Sequence, residues 1–332
     1  MNKKFKIVIT DYISNPHIEQ QILGKDCKII CLNEENENCF PDSINDADIL
    51  LVWHAGISKK TIEKLKSCKA IIRYGVGFDN VDIKCAAEYG IPFANNPDYG
   101  VHEVADTTCA LILSHTRGIP FYNNSNLINC QTWQKNTIKG LHRSTDHSLG
   151  IIGLGRIGTA VALRMKAFGM RIGFYDPFLK VGHEKSYDFI RYGSIDELLK
   201  SSTILSIHCP LNNQSRSMID ETFIKKLNDD TILINTARGK IIKNLDIIYE
   251  GLKSGKIKSI GLDVLPDEPP PNSEYLIKTW HDKNNLLNSR IIITPHTSYY
   301  SDNAWVEMRQ KIAITAKDAL QGKPLVNLIL PD

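Results

Sequence analysis

The sequence predicts an α/β protein made of two doubly wound parallel-sheet domains. Three observations predict this. The length, 332 residues, exceeds what one hydrophobic core usually serves. Two successive runs of strand-like and helix-like segments follow each other along the chain. A glycine-rich turn stands at the head of the second run.

The first run alternates short β-branched segments at Phe5–Ile9, Lys28–Leu32, Asp48–Trp53, Ala70–Tyr74 and Ile91–Ala94 with helical patterns such as Ser58–Lys66 and Asp82–Tyr89. That is the pattern of a parallel sheet with crossover helices. A longer helical pattern, His102–His115, leads into a polar stretch, Asn123–His147, rich in Asn, Gln and Thr. From Ser148 the alternation resumes with six apolar strands, Leu149–Ile152, Arg171–Tyr175, Ile204–Ile207, Thr231–Ile234, Ser259–Leu262 and Ile291–Thr294. Six such strands suit a dinucleotide-binding sheet. The helical segment Asn303–Leu320 then has no strand of that sheet left to serve, and is expected to return to the first domain. Glu268-Pro269-Pro270-Pro271 is expected to open a stiff, extended connection. The expected domains are residues 1–103 with 298–332, and residues 104–297.

Composition excludes several classes. Lys and Arg number 40 against 37 Asp and Glu, a balance of +3, and no block of five or six like charges occurs, so no nucleic-acid or membrane partner is indicated. The start, MNKKFKIVIT, runs directly into a strand pattern, and no stretch of about 18 uncharged apolar residues follows; a cytoplasmic location is expected. The eight cysteines form no C-x-x-C pair, so no metal is expected, and most of them are expected to be small core residues kept reduced.

Leu149–Ile152 is followed at once by Gly153-Leu154-Gly155-Arg156-Ile157-Gly158 and then by the helical Ile157–Phe168. In this strand–turn–helix context Gly153 permits the tight turn, Gly155 lets the backbone approach a pyrophosphate, and Gly158 allows close helix–strand contact, while the helix N-terminus attracts phosphate. Asp176 ends the next strand. A carboxylate there accepts hydrogen bonds from ribose hydroxyls and repels a 2′-phosphate, and Pro177 and Phe178 offer no cation to reverse the preference, so the expected cofactor is NAD.

In open α/β sheets, ligands lie beyond the carboxyl ends of the strands. Those positions hold Cys209-Pro210, Thr236-Ala237-Arg238-Gly239, Asp263 and Pro295-His296. Arg238 suits bidentate pairing with a carboxylate. His296 is a natural proton donor to an alkoxide if a carboxylate orients it, and Glu268, five residues past Asp263, is a candidate for that carboxylate. Taken singly, each is more often a solvated or ion-paired loop residue than a catalytic one; beside a cofactor turn they read as a hydride-transfer site.

These segments resemble the D-isomer-specific 2-hydroxyacid dehydrogenases over nearly the whole chain. The resemblance runs through RYGVGFDNVDI at Arg73–Ile83, VHEVADTTCALIL at Val101–Leu113, LGIIGLGRIG, HCPLN at His208–Asn212, INTARGK at Ile234–Lys240, GLDVLPDEP at Gly261–Pro269 and TPH at Thr294–His296. It implies a flavodoxin-like substrate domain, a Rossmann NAD-binding domain and a homodimer. Position by position it implies that Arg238 binds the substrate carboxylate and carbonyl, His296 is the acid/base and Glu268 its partner. It further implies that Asp263 lies near the nicotinamide, Val76 and Gly77 offer backbone N–H groups to the substrate, and Thr108 approaches the cofactor. KAFGMRIGFYDPFL at Lys166–Leu179, VADTT and YYSDNAWVEMR at Tyr299–Arg309 are similar to the C-terminal-binding-protein-like branch. Its vertebrate members are corepressors with a Trp where this chain has Tyr299 and with a long C-terminal tail, and Pro269–Pro271 with Trp280 looks more like bacterial relatives.

The expected activity is therefore NAD-dependent reduction of a 2-oxo acid, or oxidation of a D-2-hydroxy acid. The alternatives are an NAD(H)-sensing, corepressor-like binding protein and a phosphite or phosphoglycerate dehydrogenase. Trp53-His54 and Arg73 follow strands of the first domain and are candidate substrate contacts, as is Tyr299. Trp53 as core, His54 as the cap of a turn and Arg73 as a solvated cation is the competing reading.

Overall fold

A computed structural model describes residues 4–331. The β-branched runs of the first third become strands β1 (Phe5–Ile9), β2 (Cys27–Cys31), β3 (Ile49–Val52), β4 (Ala70–Arg73) and β5 (Phe93–Ala94), with helices α1 (His17–Leu23), α2 (Lys59–Ile62) and α3 (Ile83–Glu88) between them. Side-chain caps start α2 and α3. Ser58 accepts from the N–H of Lys60, and Asp82 from that of Cys85, each satisfying a donor the helix cannot.

The second unit begins with α4 (Val101–Thr116) and α5 (Ile119–Tyr122) and continues through β6 (Ser148–Ile152), α6 (Arg156–Ala167), β7 (Arg171–Tyr175), β8 (Ile190–Arg191), α7 (Ile195–Ser201) and β9 (Ile204–Ile207). It is completed by α8 (Glu221–Lys226), β10 (Thr231–Asn235), α9 (Leu245–Ser254), β11 (Ile257–Leu262), α10 (Tyr275–His281) and β12 (Ile291–Ile293). Then α11 (Asp302–Leu320) and β13 (Leu328–Ile329) rejoin the first unit. The compact units are Met1–Gly100 with Ser301–Asp332, and Val101–Tyr300.

The first sheet has the order β13-β5-β4-β3-β1-β2; β1 to β5 are parallel in flavodoxin-like order, and β13 pairs antiparallel with β5. The second sheet has the order β12-β11-β10-β9-β6-β7-β8, all parallel. Its topological switch lies between β6 and β9, where a doubly wound sheet opens a crevice at its carboxyl edge. Seven strands replace the six expected, because β8 is a two-residue edge strand too short to show a period. The fully buried strand β3 reads as a continuous apolar run, and β9 and β10 as near-continuous ones interrupted only by Ser206 and by Thr231 and Asn235 at the strand ends, as strands covered on both faces do.

One expectation fails. The connection through Pro269–Pro271 bends over residues 266–269, with Glu268–Pro269 cis, instead of running straight. Most of the cysteines do belong to the core: Cys27, Cys85 and Cys109 are buried and Cys68 and Cys209 pack against buried clusters, while Cys39 and Cys130 lie exposed in polar connections. No helix among the described residues is long and apolar enough to cross a membrane.

Candidate active site

The glycine turn joins β6 to α6. Gly153 has φ +92°, and a Cβ there would lie 2.7 Å from the backbone nitrogen of Cys209, so glycine is required on conformational and steric grounds alike. At Gly158 a Cβ would meet the Gly153 carbonyl oxygen at 2.2 Å, which seats α6 against the turn. Gly155, by contrast, has nothing within 4 Å of its Cβ position. It and Arg156 are exposed at the N-terminus of α6, a space bordered by backbone N–H groups and the positive end of a helix. Ile157 is half-buried behind them.

Asp176 follows β7. Its Oδ2 accepts from the N–H of Leu154 and its Oδ1 from that of Phe178, both at 2.9 Å. The carboxylate thereby braces the glycine turn and retains lone pairs for further donors. Cys209 and Pro210 follow β9; burial and the charge of Asp176 push the Cys209 thiol up to about 11, so it stays protonated. Thr236 and Ala237 follow β10. Thr108 is fully buried in α4, where its hydroxyl bonds the Val104 carbonyl at 2.7 Å and the Thr236 hydroxyl at 2.8 Å. It thus reaches the turn after β10 through Thr236.

The titratable residues converge beyond β10, β11 and β12. His296 Nδ1 donates to Glu268 Oε2 at 2.7 Å, and Glu268 Oε1 accepts from the N–H of Leu265 at 2.8 Å. Burial works to raise the Glu268 pKa, but the His296 bond and charge, the Leu265 amide and the charge of Arg238 outweigh it and hold the carboxyl below its ordinary value. With Nδ1 so engaged, Nε2 is the imidazole nitrogen left for proton transfer. His296 itself has φ +54°, a left-handed backbone uncommon for a residue with a Cβ and frequent at functional sites.

Asp263 is 3% exposed and turns its carboxylate into the loop that carries His296. It accepts from the Thr294 hydroxyl at 2.6 Å and from the N–H groups of Thr297 at 3.0 Å and Ser298 at 3.1 Å. The His296 N–H closes the loop onto the Asp263 carbonyl at 2.8 Å. Arg238 donates to the Ala237 carbonyl at 2.7 Å. Asn235 fastens the same turn, donating to the Arg238 carbonyl at 3.0 Å and accepting from the N–H of Ala237 at 3.0 Å. Sequence reasoning missed Asn235; a polar residue as the last, buried member of a strand was the available signal.

The substrate-contact candidates divide between units. Tyr299 is half-buried and lies three residues after His296 in the second unit. Trp53, His54, Arg73, Val76 and Gly77 belong to the first. Trp53 is buried and His54 exposed, Arg73 Nε donates to Asn80 Oδ1 at 3.0 Å, and the Val76 carbonyl accepts from Asn95.

A family model described as D-isomer specific 2-hydroxyacid dehydrogenase, NAD binding domain, matches residues 109–298. The chain belongs to the D-isomer-specific 2-hydroxyacid dehydrogenase family. D-3-phosphoglycerate dehydrogenase of Methanocaldococcus jannaschii is 34% identical over 325 residues, covering 98% of this chain and 59% of that protein. C-terminal-binding protein 1 of Caenorhabditis elegans is 30% identical over 327 residues, covering 90% of this chain and 42% of that protein. The chain thus spans about half the length of these curated relatives. A solved D-lactate dehydrogenase from Aquifex aeolicus, complexed with NAD and lactic acid, is 28% identical with a TM-score of 0.83, covering 98% of this chain and 99% of that one. The cofactor of this 2-hydroxyacid dehydrogenase family member is NAD. The open Gly155 position, the N-terminus of α6 and Asp176 fit its pyrophosphate and ribose.

Proposed function

We propose that this chain interconverts a 2-oxo acid and its D-2-hydroxy acid, with His296 and Glu268 as the acid/base pair and Arg238 as the substrate anchor. The 2.7 Å bond from His296 Nδ1 to a carboxylate kept ionised beside Arg238 carries this reading. NAD, when bound, supplies or accepts the hydride. Arg238 pairs with the substrate carboxylate and polarises the carbonyl. His296 gives the proton from Nε2 to the nascent alkoxide, or takes it from the hydroxyl in the reverse direction. Glu268 keeps Nδ1 protonated and stabilises the imidazolium. Tyr299, half-buried three residues after His296 in the same unit, is a further substrate contact in this proposal.

The test is NADH oxidation against 2-oxo acids of graded size, with phosphite plus NAD as a control for the reverse direction. His296→Ala is expected to lower turnover at least ~10²-fold, the lower end for general acid catalysis; unchanged turnover rejects the role. Chiral chromatography of the product is expected to give the D-isomer. The similarity to C-terminal-binding protein 1 favours one rival, a binding protein that senses NAD(H). That rival requires partner capture that responds to NADH and is indifferent to substitution of Arg238, Glu268 and His296.

A further inference from the structure

The two-residue strand β8 adds little to the sheet it edges, yet it carries Arg191 to the end of β7. Pairing sets Ile190 beside Gly173 and Arg191 beside Phe174, two residues before Asp176 on the neighbouring strand. The Arg191 guanidinium lies over the ring of the fully buried Phe174, 4.9 Å from its centroid, a position that suits a planar cation. From there it bonds the loop that follows β7. Nη1 donates to the Asp176 carbonyl at 3.2 Å, Nη2 to the Lys180 carbonyl at 2.9 Å and Nε to Glu184 Oε2 at 3.0 Å. Glu184 in turn accepts from the N–H of Gly182 at 3.1 Å, where the chain turns with φ +94°. The Arg191 and Glu184 side chains are 21% and 14% exposed, so salt screens this pair less than a surface one.

The loop has this fork in place of a core of its own. Leu179 packs on a buried cluster, but its neighbours Pro177, Phe178, Lys180 and Val181 are exposed, Phe178 by 77% and Val181 by 90%. A segment with so few buried contacts opens at low cost, whereas a guanidinium bonds two carbonyls at once from a pre-organised plane. At the head of the loop stands Asp176, whose carboxylate already bonds the N–H groups of Leu154 and Phe178. Arg191 takes hold of the same residue by its main-chain carbonyl. Asp176 is thereby fixed at both ends, with its carboxylate turned to the glycine turn and its backbone tied to β8.

We infer that Arg191, oriented by Glu184, is a positioning residue for NAD: it holds the loop after β7 in the form that receives the adenosine half before the cofactor arrives. The inference rests on Asp176 as the acceptor for the ribose hydroxyls. Without the fork the loop samples other conformations, and the apparent dissociation constant rises by the inverse of the fraction that keeps Asp176 in place. A loop in place about one-tenth of the time weakens NAD binding about tenfold.

The experiment measures dissociation constants of the full chain for NADH by its fluorescence, and for ADP-ribose by displacement of NADH. Binding is read without turnover, so the outcome does not depend on which acid the chain reduces. Wild type, Arg191→Met, Asp176→Ala and the double variant form a cycle; Met keeps an apolar stem over Phe174 and removes the fork. Arg191→Met is expected to weaken NADH and ADP-ribose by the same factor, roughly tenfold. In the Asp176→Ala background the same change should cost less than about twofold, because a residue that acts through another loses its effect once the other is gone. Equal weakening in both backgrounds, unchanged NADH affinity in Arg191→Met, or full retention of ADP-ribose affinity overturns the inference. If Asp176→Ala binds NADH as wild type does, the ribose assignment fails and the inference falls with it. Should Arg191→Met not fold, Arg191→Lys takes its place in the cycle. It keeps the charge beside Glu184 and loses the two-pronged hold on the carbonyls, so a smaller weakening that again vanishes with Asp176→Ala is expected, and wild-type affinity overturns the inference.

Discussion

Gly239 shows how much of the candidate site turns on one missing side chain. A Cβ at this position would lie 1.8 Å from the carbonyl oxygen of Leu265 and 2.0 Å from its carbon, so the turn after β10 and the loop after β11 touch backbone to backbone. That contact brings Arg238 into electrostatic range of Glu268. Gly239→Ala cannot be absorbed by rotating a side chain, so the two loops must part. It is expected to cost about 1–3 kcal/mol in urea denaturation, the range for overpacking, and to lower kcat/KM with any 2-oxo acid that wild type reduces. Wild-type stability in the variant would show that the loops separate freely. Arg238, Glu268 and His296 were legible in the sequence because strand ends announce themselves by apolar runs. The Gly239–Leu265 contact was not, because it joins loops that are distant in sequence, and neither was the inward turn of Asp263, whose partners Thr294, Thr297 and Ser298 lie on another loop.

Among the elements, α4 shows the limit of periodicity. Its extent was readable, yet the pattern could not say which sheet it serves; it packs on α6, β10 and β11. Near its end His115 is 5% exposed, with Nε2 2.9 Å from the Ile260 carbonyl oxygen. Burial pulls its pKa down to about 4, and the Ile260 bond offsets only part of that. The folded-state pKa thus lies below the ordinary 6.5, so the folded ring stays neutral where the unfolded chain takes up a proton. No stability difference arises above pH 6.5; stability is lost as pH falls from 6.5 towards 4, on the order of 3 kcal/mol in all. Denaturation of wild type and His115→Gln at pH 7.5 and 4.5 reads this directly, since other titrations cancel in the difference. The wild-type advantage should shrink by roughly that amount at pH 4.5, and equal advantages at both pH values would mean that the ring titrates as in water. The two-residue strands β8 and β13 were missed, whereas β5, equally short, was read from the longer run Ile91–Ala94 that contains it.

At the scale of the whole chain, the notable link is the one that ties the last helix to the first. The return of α11 to the first unit could be expected because it had no strand left to serve in the second sheet. The residues that hold it there could not, since an Arg in a helical pattern reads as solvated. Arg309 is 4% exposed and donates through Nε to Glu19 Oε1 at 2.8 Å and through Nη2 to Glu19 Oε2 at 2.5 Å and the Asn15 carbonyl at 2.7 Å. Tyr74 adds a hydroxyl bond to Glu19 at 3.0 Å; burial and the Glu19 charge push its pKa well above the ordinary value, so it remains a donor. Such a buried pair contributes little net stability over an apolar one, but removing one partner strands a charge. Arg309→Met should therefore cost about 3–5 kcal/mol in urea denaturation, while Glu19→Gln added to it should restore part of the loss by removing the orphaned carboxylate. If the double variant is no more stable than the single one, the cost lies in lost packing of the Arg309 stem, and the charge is not what fixes α11 on α1.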